Sequence, residues 1–215
     1  MLPVMLNLEG RRVVVFGGGR VAERRVAKLL EAGAEVRVVS RDFTRALQRL
    51  ASAGKLTLVR QELTPEAAEE HAKEAFAVIV ATSDSELNSR IAERCRRLGR
   101  LVNRADAVAD FVMPASFRTG DVVVAVATCG RSPEVAKKIK RRLMKAVAQE
   151  DILLVELQEK LRGELRELVA TPEERRRLLR RVAEDQEVLL MLRKGNTEGA
   201  FELAMRLVEA EHAHR

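Results

Sequence analysis

The sequence predicts an α/β protein that begins with a doubly wound parallel sheet and continues with a small α+β segment and a helical domain. Apolar runs alternate with helical patterns over residues 1–112, which is the order of elements in a parallel sheet. A β-prone run and a helix start follow in residues 113–148, and residues 149–215 contain only helical patterns. We therefore expect three segments with these bounds.

The first predicted strand leads into a glycine turn that opens a helix. Residues 13–16 are apolar, and Gly17, Gly19 and Ala22 follow with the spacing GxGxxA. Gly17 would make the tight turn, Gly19 would leave room for a phosphate, and Ala22 would let the helix pack close to the strand. Because helix N-termini bind phosphates, the turn predicts a Rossmann-like dinucleotide site. The residues expected to contact the cofactor here are Gly17, Gly19, Arg20 and Val21.

An amphipathic helix and a second strand complete this first unit. The helix has apolar residues at spacings of three and four, and Gly33 is expected to end it. Residues 36–39, with the sequence Val-Arg-Val-Val, are predicted as a second buried strand. The predicted apolar stripe of the helix consists of Val21, Ala22, Val26, Leu29, Leu30 and Ala32.

The second strand ends with Ser40, Arg41 and Asp42, where an acidic residue commonly binds the adenosine ribose. Ser40 takes that place, and Asp42 lies slightly beyond it. Arg41 suits either stacking on adenine or contact with a 2′-phosphate. We expect NAD as the cofactor, and NADP stays open as the alternative.

The remaining strands of the sheet are predicted at residues 56–59, at residues 76–81 and from Leu101 onwards. Between the last two, residues 88–98 form a crossover helix with a regular apolar face. Thr82 follows the 76–81 strand and should lie at the carboxyl edge of the sheet, where such sheets bind ligands.

The pattern changes near residue 113. Residues 122–127 are β-prone, and Ser132 with Pro133 predicts the start of another helix. The predicted apolar face of that helix consists of Val135, Ala136, Ile139, Leu143 and Val147.

Three helices are expected in the last segment. The first covers residues 152–169, the second starts at Thr171-Pro172 and ends at Gly195-Asn196, and the third starts at Thr197. Their leucine-rich stripes are typical of a core, while a subunit interface or a substrate cover remains the alternative.

The composition limits the class of protein. The 215 residues are 47% hydrophobic and 33% charged with a net charge of +7, and no apolar run approaches the length of a membrane span. No secretory signal is evident, so we expect a cytoplasmic protein. A basic chain suits an acidic partner, but six Phe without Trp or Tyr are few stacking platforms for single-stranded nucleic acid. Cys95, Cys129 and the three histidines lack the spacing of a metal site.

Several segments in fixed order resemble the precorrin-2 dehydrogenase/sirohydrochlorin ferrochelatase family, which is also the N-terminal module of siroheme synthase. The most specific are the Asn-x-x-Asp motif at Asn103 and the Thr-x-Gly-x-Ser-Pro motif at Thr128. The matching segments are residues 2–11, 17–25, 81–84 with Leu87-Asn88, 101–106, 110–115 and 128–133.

The resemblance implies an NAD-dependent oxidation of precorrin-2 to sirohydrochlorin by a homodimer, and some members of the family then insert iron to give siroheme. Asp106 is the implied catalytic carboxylate, whereas a lone Asp after a strand usually only caps a turn. The polycarboxylate substrate would also account for the positive net charge without nucleic acid or a membrane surface. The implied substrate-binding residues are Asn103, Thr128, Arg131 and Ser132.

The chain departs from the family pattern at two places. The segment between Asp106 and Phe111 is about two residues shorter than usual in the family, and Cys129 stands where the family usually has Gly. Two other functions stay open. One is a non-catalytic dinucleotide-sensing or tetrapyrrole-handling module, which needs the glycine turn but no carboxylate at the nicotinamide. The other is a basic nucleic-acid binder.

Overall fold

The computed structural model describes residues 1–213. The chain divides into two compact units, with the division between Met113 and Pro114. Each unit has a buried core of its own. The finer division of residues 113–148 from residues 149–215 stays a prediction.

The first unit is built on a parallel sheet of five strands in the order β3-β2-β1-β4-β5. This is the strand order of a doubly wound sheet, in which the connections cross over in opposite directions on either side of β1. The predicted α/β class is confirmed. The strands are β1 (Arg12–Phe16), β2 (Glu35–Ser40), β3 (Thr57–Arg60), β4 (Ala77–Val80) and β5 (Leu101–Arg104).

Side chains of β1 alternate between two cores, one on each face of the sheet. Val13 and Val15 pack in one cluster, and Val14 and Phe16 pack in the other. Because both faces are covered by helices, the strand is apolar at every position from Val13 onwards, as parallel strands commonly are. The continuous apolar run in the sequence is thereby explained.

Four helices connect these strands. Two of them were not predicted from the sequence, because α2 and α3 have only eight residues each and α2 buries a single side chain, Leu47. Their N-cap residues Thr44 and Thr64 were the available signal. The helices are α1 (Arg20–Glu31), α2 (Arg45–Ser52), α3 (Pro65–Ala72) and α4 (Ser85–Arg97).

The buried stripe of α1 is narrower than predicted. Ala22, Val26 and Leu29 are buried, whereas Val21 is 38% exposed and Leu30 is only half-buried. Val21 lies in the first turn of the helix, next to the glycine turn, and this places its side chain outside the core. Gly33 follows the helix with a φ of 74°, as the predicted C-terminus requires.

The second unit begins with an antiparallel hairpin and a helix. β6 (Ala115–Thr119) pairs with β7 (Val122–Val126), and α5 spans Pro133–Ala146. β6 was not predicted, since its sequence has no strong β pattern. The predicted apolar face of α5 is mostly not buried in the described chain: Ala136 is buried, but Val135 is 47% exposed.

Four helices form the core of the rest of the unit. The predicted second helix is interrupted, because the Asp185 carboxylate accepts hydrogen bonds from the N–H groups of Glu187 and Val188 and starts a new helix there. The leucine-rich stripes pack against one another as a core. The helices are α6 (Gln149–Leu168), α7 (Pro172–Ala183), α8 (Gln186–Arg193) and α9 (Thr197–Ala213). None of the helices in residues 1–213 is both long and apolar enough to cross a membrane.

Candidate functional site

The glycine turn after β1 is packed against two other segments of the sheet edge. Gly17 has a φ of 115°, and a Cβ at this position would lie 2.4 Å from the carbonyl oxygen of Ala81. A Cβ on Gly18 would lie 1.9 Å from the carbonyl oxygen of Asp42. The sequence predicted no role for Gly18. The run of three glycines was the available signal that a side chain at this position would also collide with a neighbouring segment.

Gly19 differs from its two neighbours, because a Cβ there would meet no protein atom within 4 Å. It is the N-cap residue of α1, and no side chain caps this helix. In the same unit, Thr44, Thr64 and Asp84 cap α2, α3 and α4 with side-chain oxygens. Without a side-chain cap, and with open space beside Gly19, this helix N-terminus is suited to binding an anion.

A cavity of about 990 Å³ lies along this edge of the sheet. Its walls come from the glycine turn, the end of β2, the start of α3 and the segment after β4. This is the crevice at the carboxyl ends of the strands where doubly wound sheets bind nucleotides. The predicted cofactor residues that line it are Gly17, Gly19, Ser40, Arg41, Asp42 and Thr82.

Charged side chains at the end of β2 are arranged in two exposed pairs. Arg41 lies 3.8 Å from Glu62, and Arg60 lies 3.4 Å from Asp42. Ser40 ends the strand and is half-buried. Both cations at this corner therefore have a carboxylate opposite them, while Asp42 and Glu62 also line the cavity.

Thr82 is held by a buried amide. The Asn88 side chain accepts hydrogen bonds from the Thr82 N–H (3.2 Å) and hydroxyl (2.6 Å), and it donates to the Thr82 carbonyl (3.2 Å). Its second N–H donates to the Asp106 carboxylate at 3.2 Å. Asn88 thus uses its full hydrogen-bonding capacity and connects the cavity wall to the predicted catalytic residue. Asn88 belongs to a segment that matches the family, but the sequence predicted no role for it in the site; a polar residue on the buried face of α4 was the signal.

Asp106 follows β5 and forms an ion pair with the last residue of that strand. Arg104 Nε and Nη2 donate to the two carboxylate oxygens at 3.0 and 2.9 Å. The pKa of the Asp106 carboxyl lies well below its ordinary value, and the hydrogen bonds from the Arg104 guanidinium are the largest cause. Burial raises the pKa, whereas the hydrogen bonds from Asn88 and Ser85 lower it further. The carboxylate is therefore ionised at neutral pH.

Asn103 is placed in the interior rather than on the cavity wall. It is 2% exposed, its amide oxygen accepts from Arg25, and its amide nitrogen donates to the Phe111 carbonyl at 2.7 Å. Burial lowers the pKa of Arg25, which lies on α1. These contacts join α1, β5 and the segment after Asp106, whereas the substrate contact expected for Asn103 stays a prediction.

Thr128, Arg131 and Ser132 lie in the loop before α5, in the second unit. The Thr128 hydroxyl donates to the Ser132 carbonyl at 2.9 Å and accepts from the Ser132 N–H at 3.1 Å. The Ser132 hydroxyl accepts from the Val135 N–H at 3.3 Å, as predicted for a helix cap. Arg131 is exposed. Substrate binding by these residues stays a prediction.

The two cysteines lie in different environments. Cys95 is buried on α4, and burial raises the pKa of its thiol to about 12. Cys129 is exposed and has a φ of 50°, so it occupies the left-handed conformation that a glycine adopts more easily. Within the described residues no three His, Cys, Asp or Glu side chains lie together as metal ligands. Iron insertion stays an expectation from the resemblance.

The sheet order and the uncapped helix at the glycine turn define a dinucleotide-binding protein of the Rossmann type. The model of an NAD(P)-binding family matches residues 4–115. The chain is 38% identical to a precorrin-2 dehydrogenase of Methanosarcina barkeri over 190 residues, which is 87% of this chain and 84% of that protein. With these matches, the chain belongs to the precorrin-2 dehydrogenase family.

Two further comparisons agree with this family assignment. A solved structure of SirC, a precorrin-2 dehydrogenase, is 27% identical and superposes with a TM-score of 0.76 over 96% of this chain and 100% of that one. A siroheme synthase of Nitrosococcus oceani is 33% identical over 95% of this chain, but over only 44% of its own length. The chain therefore spans less than half of that larger protein.

Proposed function

We propose that this chain oxidises precorrin-2 to sirohydrochlorin with NAD as the hydride acceptor, as part of siroheme biosynthesis. The observation that carries the proposal is the connection from the cavity to the predicted catalytic residue. Asn88 binds both Thr82, which lines the dinucleotide cavity, and the ionised carboxylate of Asp106. A dinucleotide site and a base at one sheet edge are what a dehydrogenation requires.

In this proposal the backbone of the glycine turn binds the pyrophosphate at the N-terminus of α1. The residues at the end of β2 bind the adenosine ribose, and Thr82 lies towards the nicotinamide. When bound, the nicotinamide supplies the acceptor for the hydride that leaves precorrin-2. The residues assigned to the cofactor are Gly17, Gly19, Arg20, Val21, Ser40, Arg41, Asp42 and Thr82.

The charges at the end of β2 favour NAD over NADP. Asp42 and Glu62 line this end of the cavity, and their carboxylates would repel a 2′-phosphate. Arg41, the residue that could receive such a phosphate, already lies 3.8 Å from Glu62. The ribose hydroxyls of NAD carry no charge and meet no such repulsion.

Asp106 is the proposed acceptor of the proton that leaves precorrin-2 together with the hydride. The Asp106 carboxylate is ionised at neutral pH, and its lowered pKa makes it a weak base, so a proton that it accepts passes readily to solvent. Substrate contacts by Asn103, Thr128, Arg131 and Ser132, and assembly as a homodimer, belong to the proposal through the family resemblance.

Anaerobic turnover of precorrin-2 with NAD or NADP tests the proposal. We expect NADH and the sirohydrochlorin spectrum to appear together, with kcat/KM for NAD at least about tenfold above that for NADP, which corresponds to about 1.4 kcal/mol. Asp106→Asn should lose most of the activity, and Asp121→Asn, a carboxylate on the β6–β7 turn, should keep it. NAD binding without turnover would instead support a non-catalytic sensing module.

A further inference from the structure

Arg104 is more than a neighbour of Asp106 in the sequence. It is the last residue of β5, its side chain is only 14% exposed, and the Asp106 side chain is 27% exposed. Two of its nitrogens donate to the two oxygens of one carboxylate, and Nη2 also donates to the Ser85 carbonyl at 3.3 Å. The guanidinium is thus fixed between the end of β5 and the start of α4.

A second side chain also holds the Asp106 carboxylate. Asn88 Nδ2 donates to Asp106 Oδ2, the oxygen that also accepts from Arg104 Nη2. Asn88 is 1% exposed and is itself held by three hydrogen bonds to Thr82. Hydrogen bonds hold both the guanidinium and the amide, so the direction of the carboxylate is set from two elements at once.

We infer that Arg104 is a positioning residue for the proposed dehydrogenation: its two-nitrogen contact orients the Asp106 carboxylate, while Asn88 fixes that carboxylate relative to the Thr82 wall of the cofactor cavity. The inference rests on the proposed function of Asp106. Arg104 acts through Asp106 and is not assigned a contact with precorrin-2 or NAD.

The geometry explains why this position needs arginine rather than lysine. A planar guanidinium binds both oxygens of a carboxylate in one plane, whereas an ammonium is a point charge that binds one oxygen at a time. Among the described residues, the groups that face Asp106 and set the pKa of its carboxyl are Arg104, Asn88 and Ser85, of which only Arg104 is charged. Arg104 therefore supplies both a positive charge beside Asp106 and the two contacts that orient its carboxylate. Substitutions that keep or remove the charge can separate these two effects.

The experiment compares Arg104→Lys, which keeps the charge, with Arg104→Met, which removes it. Arg97→Met is the matched control, because Arg97 lies on the exposed side of α4. Three quantities are measured for each variant: the titration of the Asp106 carboxyl by NMR without substrate, kcat and KM separately for precorrin-2 and NAD, and the thermal midpoint.

We expect Arg104→Met to return the carboxyl titration towards the ordinary aspartate value of about 4, while Arg104→Lys keeps most of the shift. Both variants should lower kcat about 10- to 100-fold through misorientation of the base, with KM for precorrin-2 and NAD changed less than about twofold. Arg97→Met should leave all of these quantities as in the unsubstituted protein. Arg104→Lys keeps the ion pair and so provides a folded test if Arg104→Met does not fold.

Three outcomes would overturn the inference. An Asp106 titration that is unchanged in Arg104→Met removes the electrostatic part. A higher KM for precorrin-2 at unchanged kcat makes Arg104 a substrate-binding residue, and a lower thermal midpoint without any change in kcat makes it a structural one. If the unsubstituted protein does not turn over precorrin-2, the proposed function fails instead, and the NMR titration still decides whether Arg104 controls the carboxylate.

Discussion

The Gly17 turn and the Thr128 loop both contain glycine and both precede a helix, but one helix N-terminus lacks a side-chain cap and the other has one. The Gly17 turn leads into α1, whose first N–H groups have no side-chain cap. The Thr128 loop leads into α5, where the Ser132 hydroxyl caps the helix and Thr128 closes the loop on itself. The first helix N-terminus is suited to an anion, whereas the second is capped by its own loop and offers only exposed side chains such as Arg131.

The two turns also differ in which residue adopts a positive φ. Gly17 takes a φ of 115° and lies directly against Ala81, so that any side chain there would collide with backbone. Cys129 takes a φ of 50° in an exposed loop, directly before Gly130, which has a φ of 82°. The cofactor turn is thus fixed by packing, while the second loop keeps a locally unfavourable residue that its surroundings tolerate.

The largest expected effect comes from a methyl group on Gly17. Gly17→Ala should lower the free energy of unfolding by about 3 kcal/mol or more, because the residue combines a positive φ with a Cβ position 2.4 Å from the Ala81 carbonyl oxygen. Urea unfolding measures this loss.

Gly19→Ala is the matched control two residues away, since its Cβ would enter open space. It should change the free energy of unfolding by less than about 1 kcal/mol, yet raise the Kd for NAD by about tenfold, equivalent to about 1.4 kcal/mol, because the methyl group occupies the approach of the phosphates. Equal destabilisation by the two substitutions would contradict the division between packing at Gly17 and ligand access at Gly19.

A smaller effect is expected at the second turn. Ser132→Ala removes the hydroxyl that accepts from the Val135 N–H and should lower the free energy of unfolding by about 1 kcal/mol. Ser132→Asn restores a capping oxygen and should recover most of this loss. If alanine and asparagine at this position give the same thermal midpoint, the hydroxyl does not stabilise α5 as a cap.

The sequence was most informative where local pattern and packing agree. The apolar run before Gly17 and the helix start at Ser132 were both predicted, because burial on two faces and helix capping each leave a direct trace in residue type. The short helices α2 and α3 were missed, since eight residues with few buried side chains give little periodicity. The break at Asp185 was missed because a single capping carboxylate interrupts an otherwise continuous helical pattern.

The candidate site was predictable only in part, for a physical reason. Asp106 and the glycine turn carry recognisable motifs, but the contacts that tie them together run between residues far apart in the chain. Asn88 precedes Asp106 by 18 positions and meets it only because α4 and β5 pack together. Likewise, nothing in the sequence distinguishes Arg104 from the other arginines. Only the structure shows that its Nε and Nη2 both donate to the Asp106 carboxylate.

The smallest expected effect is a gain in stability at Cys129. A non-glycine residue in the left-handed region costs about 1 kcal/mol or slightly more, and part of the relief in Cys129→Gly is offset by the larger conformational entropy of glycine in the unfolded chain. The net result should be a rise of about 0.5 kcal/mol in the free energy of unfolding, measured by urea titration. Cys129→Ala removes the thiol but keeps the Cβ, so it should give no gain. If alanine stabilises the protein as much as glycine does, the thiol rather than the φ of 50° is the unfavourable feature of this loop.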